Sequence, residues 1–393
     1  MSRLHPTSSR AFSRGMSLIE IMVGMAIALV ATLVIFQVFS QTSSSNRTTS
    51  SGNEAQISGN IGMFQMERDL KAAGMGFGTL SNAGGGCTVS ALNSAGVAFN
   101  FPLVPVLITP GVAGVPDQID VLYGNSSYLI ADRGFGSGTP YTVTTVSSGG
   151  IQQGDLVVLT DSGKPPTVCE LAEITKNSNA DGLTVEHALG GYTDFYSGTV
   201  VAAAKHNLAH AAPLNANGVL YDLGPSPDPI HSSVPQAALN QWRVSNGSLT
   251  ISNALGSGVA TPVAEGIVHF MAQYGVDDGA GGATAGDGVI SPSEWTTNAP
   301  ANWSQVLAVR FALLARSPQA EKTAVTIAAP VWASGANTFT MLNLDGTPGA
   351  VGAIAAGTPW DANDWRYYRY RVFESVVAMR NMLWPKCYPV ACS

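Results

Sequence analysis

The residue in this sequence with the most to explain is Glu20, a lone carboxylate in the apolar run LIEIMVGMAIALVATLVIFQVF from Leu18 to Phe39. A charged side chain at the centre of a membrane-spanning helix costs on the order of 2.5–3.5 kcal/mol by insertion scales, and an acid in such a segment is a functional residue by default. The chemistry open to it is electrostatic pairing. If the chain is cut after Gly15, the freed α-amino group of Met16 lies four residues away at the same helix end. The carboxylate then pairs with its own amine or with that of a neighbouring chain, helped by the partial positive charge of the helix N-terminus.

The other residues able to do chemistry form weaker patterns. His206 and His210 stand at i and i+4, a metal-ligating spacing if helical, but the glutamate of an H-E-x-x-H site is missing and a polar surface loop is expected. Asp287-Gly288-Val289-Ile290-Ser291 with Glu294 has the offsets of the second half of an EF-hand loop. The first two ligand positions fall on Ala283 and Ala285, which cannot coordinate, so calcium would need Asp277 or Asp278 from the preceding turn, and a glycine-rich turn is the plainer expectation. No G-x-S-x-G elbow, Walker A sequence or dinucleotide fingerprint occurs, so no enzyme activity, cofactor or metal is expected beyond that fragmentary calcium loop. Cys87, Cys169, Cys387 and Cys392 contain no C-x-x-C pair, which disfavours zinc and favours two disulfides in an oxidising compartment. Cys387 with Cys392 and Cys87 with Cys169 is one of three possible pairings.

These residues must be positioned by a chain that is only 11% charged, with a net charge of -7, which argues against nucleic-acid binding. Arg3, Arg10 and Arg14 form a basic leader without acids, and the positive-inside rule holds it in the cytoplasm and sends the rest across. The apolar run spans roughly 33 Å as a helix, enough for a bilayer. A polar stretch follows. Then Ile57, Ile61, Phe64 and Leu70 suggest an apolar helix face, with Glu67, Arg68, Asp69 and Lys71 largely opposite and Gly74 and Gly76 as a stop. Beyond it, short runs at 119–123, 156–159, 171–175 and 219–223 suggest strands. Gln241–Ser245 and Ser248–Ile251 flank Asn246-Gly247, a strong hairpin signal. Val263, Ile267, Phe270, Met271 and Tyr274 suggest a short helix closed by Gly275, followed by strands at 306–314 and 368–377. The expected fold class is α+β, a long N-terminal hydrophobic helix carrying a β-rich antiparallel-sheet head. Its parts are a leader (1–15), a transmembrane helix (16–39), an amphipathic stem (40–74) and a single head (75–393).

The segment Arg14-Gly15-Met16-Ser17-Leu18-Ile19-Glu20 closely resembles the prepilin peptidase site of type IV pilins and type II secretion pseudopilins. That resemblance implies cleavage after Gly15, N-methylation of Met16, where the family usually has Phe, and filament packing guided by Glu20. It also implies that the helix continues into the polar stretch. More narrowly, Glu67-Arg68-Asp69-Leu70 through Gly74, Trp242–Gly247, Ala264–Ile267, Gln273–Asp277, Val309-Arg310, Leu313–Ser317, Arg369–Glu374 and Arg380-Asn381 look like PilW-type minor pilins. Implied with this are a low-abundance subunit that primes pilus assembly, with adhesion or twitching motility as consequences. The implied partners are the prepilin peptidase, other major and minor pilins and the inner membrane, with the head periplasmic and later at the cell surface. A type II secretion or competence pseudopilin shares this N-terminus. A membrane-anchored periplasmic enzyme or binding protein would use the helix as an anchor alone.

Overall fold

The computed structural model describes residues 17–77, 86–112, 114–126, 133–136, 138–161, 169–177, 182–209 and 217–383. Gly15, Met16, His210, Cys387 and Cys392 lie outside the described residues. The chain divides into two compact units, Met1–Asn53 and Glu54–Ser393.

Helix α1 runs without interruption from Leu18 to Ala72. In the first unit its segment Leu18–Ser43 is long and apolar enough to cross a membrane, and none of it is buried. The polar stretch after Phe39, linker-like by composition, is helical. It contains no proline, and Ser, Thr and Asn each disfavour a helix by only about 0.7 kcal/mol or less.

In the second unit the rest of α1 packs on β-sheet through Ala55, Gly59, Gly62, Met66, Leu70 and Ala73. Leu70 is inward as hydrophobic spacing predicts, but the rest of the expected face is not. Ile57 is 59% exposed and Phe64 65%, Ile61 is exposed too, and Asp69 is buried. Close approach explains the reversal. A Cβ on Gly59 would overlap the Phe373 ring, and one on Gly62 would sit 3.0 Å from Leu313 Cδ1, so small residues must face the sheet. The helix ends where expected, at Gly74, whose φ of +79° is left-handed and whose N–H donates to Leu122 O.

The head is β-rich. A nine-stranded sheet, a five-stranded sheet and a four-stranded sheet carry most of it. In the four-stranded sheet, Ile267–Val276 pairs with Val306–Arg316, which pairs in turn with Tyr370–Ala378, all antiparallel. The five-stranded sheet contains the predicted hairpin, Ala238–Ser245 with Ser248–Asn253. Asn246 (φ 51°) and Gly247 (φ 70°) are both left-handed, as a type I′ turn requires. In the nine-stranded sheet one pair is parallel, Thr88–Leu92 beside Cys169–Glu173.

The short helix expected over residues 263–274 is absent. Thr261–Glu265 and Ile267–Val276 are strands, separated by Gly266 at φ +74°. Ile267–Val276 is covered on both faces. Phe270, Ala272 and Tyr274 face the core under α1, while Val268 and Met271 pack on a second layer around Trp332 and Phe339. A strand covered on both sides loses its alternation and mimics a buried helix in sequence.

A buried acid cluster sits between Asp155–Asp161 and Asn217–Pro225. Asp155 and Asp222 are fully buried, and so is His231, whose Nε2 is 2.6 Å from Asp194 Oδ1. Burial pushes Asp222 up to about 6, and burial and then repulsion from Asp222 push Asp155 well up. A carboxyl that binds protons more readily folded than unfolded stabilises the fold in acid. That contribution is lost as pH rises from about 4 through about 6. In Asp222→Asn the amide can still accept from Gly224 N–H and can donate to Ser126 Oγ. Urea unfolding of this variant should show a smaller loss of stability than the wild type over that pH interval. Parallel pH profiles for the two proteins would contradict this.

Candidate functional site

The first unit places Glu20 in the first turn of α1. Its Oε2 accepts from Ser17 N–H at 2.9 Å, while Ser17 Oγ accepts from Ile19 N–H at 3.2 Å and lies 3.5 Å from Glu20 N. This is the reciprocal arrangement of a capping box, and its signature Ser17-x-x-Glu20 is present in the sequence. Glu20 thus has a structural use as well as a charge, and any test of the charge must leave the cap intact.

In the second unit, residues from three distant segments lock the end of α1 to the head. Asp69 is 1% exposed, and its Oδ2 accepts from Asn240 Nδ2 at 2.7 Å and Trp242 Nε1 at 3.1 Å. Tyr123 O–H donates to Oδ1 at 3.4 Å. Burial raises the carboxyl despite these donors. Two residues earlier, Glu67 accepts from Ser375 Oγ at 2.6 Å and from Lys71 at 2.9 Å, and the Ser375 bond first and then Lys71 hold its carboxyl below the usual range. At the helix end Asn381 Nδ2 donates to the carbonyls of Ala72 and Ala73, each at 3.0 Å, satisfying two acceptors that a helix C-terminus leaves free. Glu67 and Asp69, Trp242 and Asn381, far apart in the sequence, therefore meet in one joint. Asn240, Tyr123 and Ser375 complete it and carried no sequence signal, because a polar residue in a strand does not reveal its partner.

The remaining candidates fall elsewhere. Cys87 and Cys169 are joined by a disulfide. His206 does not belong to a polar surface loop. It is 1% exposed in a non-helical bend, its Nδ1 is 2.8 Å from Leu92 O, and burial lowers its pKa. In the loop after Val276, the acids cap backbone. Asp277 accepts from the N–H groups of Gly286, Asp287 and Gly288, and the buried Glu294 accepts from Gly279 and Ser291. Asp287 is exposed and caps Val289 N–H. Among the described residues no group of three or more His, Cys, Asp or Glu side chains is placed to hold a metal ion. The joint and the apolar helix can bind and orient, and that is the chemistry they offer.

Residues 237–381 match the family model described as Type IV Pilus-assembly protein W. The match contains Asn240, Trp242, Ser375 and Asn381 of the joint. No curated protein and no solved structure matches the chain.

Proposed function

We propose that this chain, whose head is similar over residues 237–381 to the type IV pilus-assembly protein W family, is a minor type IV pilin. It is made as a prepilin, held in the inner membrane by α1, cut by prepilin peptidase after Gly15 and methylated on Met16. It then joins other major and minor pilins through its helix to prime assembly of the pilus, with the head outside the cytoplasm. Adhesion and twitching motility follow from assembly.

The observation that carries this reading is the presence, in one chain, of a head similar to an assembly family and an N-terminal helix whose segment Leu18–Ser43 is apolar enough to cross a membrane and, among the described residues, is not buried. Ile57, Ile61 and Phe64, turned away from the head, extend the apolar surface available to sister helices. The mechanism is packing, so no catalytic residue is assigned. A type II secretion pseudopilin would use the same helix, and it would lose protein secretion rather than pili on deletion.

Glu20→Gln keeps an acceptor for Ser17 N–H and removes the charge, whereas Glu20→Leu removes both. Each variant, expressed in the native host in place of the wild type, should reduce the chain's recovery in sheared pili by at least about ten-fold, because without the carboxylate the freed Met16 amine loses the partner it pairs with among packed helices. Wild-type piliation with Glu20→Leu would reduce the chain to a tethered protein. Mass spectrometry of the mature chain should show a methylated Met16 start.

A further inference from the structure

The hairpin turn Asn246-Gly247, the strand end at Arg316 and the strand start at Tyr370 open onto one cleft of about 520 Å³, within the range of binding sites of roughly 300–1,000 Å³. Val244, Val268, Leu314 and Leu342 make much of its lining apolar. His269 also lines it, but burial pushes its pKa down to about 4, which keeps it neutral and leaves Arg316 as the cation of the cleft. Arg243, Arg366 and Arg369 each have a carboxylate, on Asp120, Asp364 and Glu321. Arg316 instead stacks on the Tyr368 ring at 5.0 Å and donates to Tyr370. Among the described residues no Asp or Glu forms an ion pair with it.

An occupant that satisfies the lining carries a carboxylate and apolar surface.

We infer that the cleft is a docking site for an acidic side chain presented on an extended segment of a partner subunit. The carboxylate pairs with Arg316, and flanking aliphatic residues lie on Val244, Leu314 and Leu344. That the partner is a subunit rests on the function proposed above, whereas the chemistry of the cleft does not.

The test is calorimetry on the full chain in a non-ionic detergent, with the pentapeptide N-acetyl-AlaLeuGluLeuAla-amide and its Gln analogue as probes. The Glu peptide should bind at least about ten-fold more tightly, as a charge-assisted contact in a partly desolvated site implies. Arg316→Gln should abolish the difference. Because Arg316 also supports Tyr368 and Tyr370, a second pair of variants is placed at Leu344, 43% exposed on the rim. Leu344→Glu should lose the Glu peptide, and Leu344→Gln should keep it. Equal binding of both peptides, discrimination that survives Arg316→Gln, or glutarate binding as tightly as the peptide would overturn the proposal. Peptide discrimination alongside normal pili in the Glu20 variants would keep the site and remove the pilin reading, and the reverse pattern would remove the site alone.

Discussion

Asp69→Ala is expected to destabilise the head by about 3 kcal/mol in urea unfolding, with the loss growing as the pH is lowered toward 4. The substitution strips Trp242 Nε1 of its acceptor and Asn240 Nδ2 of the closer of its two partners. A buried donor left without a partner costs roughly 1–3 kcal/mol, and the emptied space adds to this. Relief from burying a carboxylate offsets part of the sum, since the raised pKa of Asp69 reports burial as its first cause. The same raised pKa sets the pH trend. A folded chain that takes up this proton more readily than the unfolded chain gains stability as pH falls, and the Ala variant has no such proton to gain. Asp69→Asn, which keeps an acceptor for Trp242, should lose about half as much. A change within about 0.5 kcal/mol for Asp69→Ala would mean that the joint is held by apolar packing alone.

The joint also shows where sequence reasoning reaches its limit. The apolar run, the stop at Gly74 and the Asn246-Gly247 hairpin were legible because each depends on local chemistry: uninterrupted apolarity, and residues that accept positive φ. The orientation of the stem was not. Spacing put Ile57, Ile61 and Phe64 inward and Asp69 outward, whereas contact distance, which hydrophobicity does not encode, required Gly59 and Gly62 against the sheet. Once those glycines fix the rotation of α1, Asp69 is carried inward and needs donors from Tyr123, Asn240 and Trp242, far away in sequence. The misjudged helix over 263–274 failed for a related reason: both its neighbouring layers lie elsewhere in the chain. Of the site itself, Glu20 was visible as an anomaly, and its local use as a cap was visible as a motif; the cleft around Arg316 was visible as neither.

Removing the Cys87–Cys169 disulfide should be the largest single loss of stability in the head. The bond joins residues 82 apart, and closing a loop of that size restricts the unfolded chain by about 4.5 kcal/mol in the entropic picture. Both cysteines are largely buried, among Val89, Phe101, Leu103 and Leu171, so the native core is shaped around the bond. It also stands at the start of the one parallel pair in the large sheet, Thr88–Leu92 beside Cys169–Glu173, where Ser90 and Glu170 give a single registered contact. Parallel neighbours cannot be joined by a tight turn, so the covalent link does here what a hairpin does elsewhere. The double variant Cys87→Ala/Cys169→Ala should therefore lose roughly 2–5 kcal/mol, read as a lower urea midpoint with a steeper slope, because the freed unfolded chain exposes more surface. Hydrogen exchange should rise first in Thr88–Leu92, ahead of the antiparallel strands Val306–Arg316 and Tyr370–Ala378. Uniform loss of protection across the head would place the bond's effect wholly in the unfolded chain, and no loss at all would contradict the prediction. Because such bonds persist in oxidising compartments and are rare in reducing ones, the same measurement on head made in the cytoplasm should reproduce the double variant. That result would tie the stability of this head to an oxidising compartment.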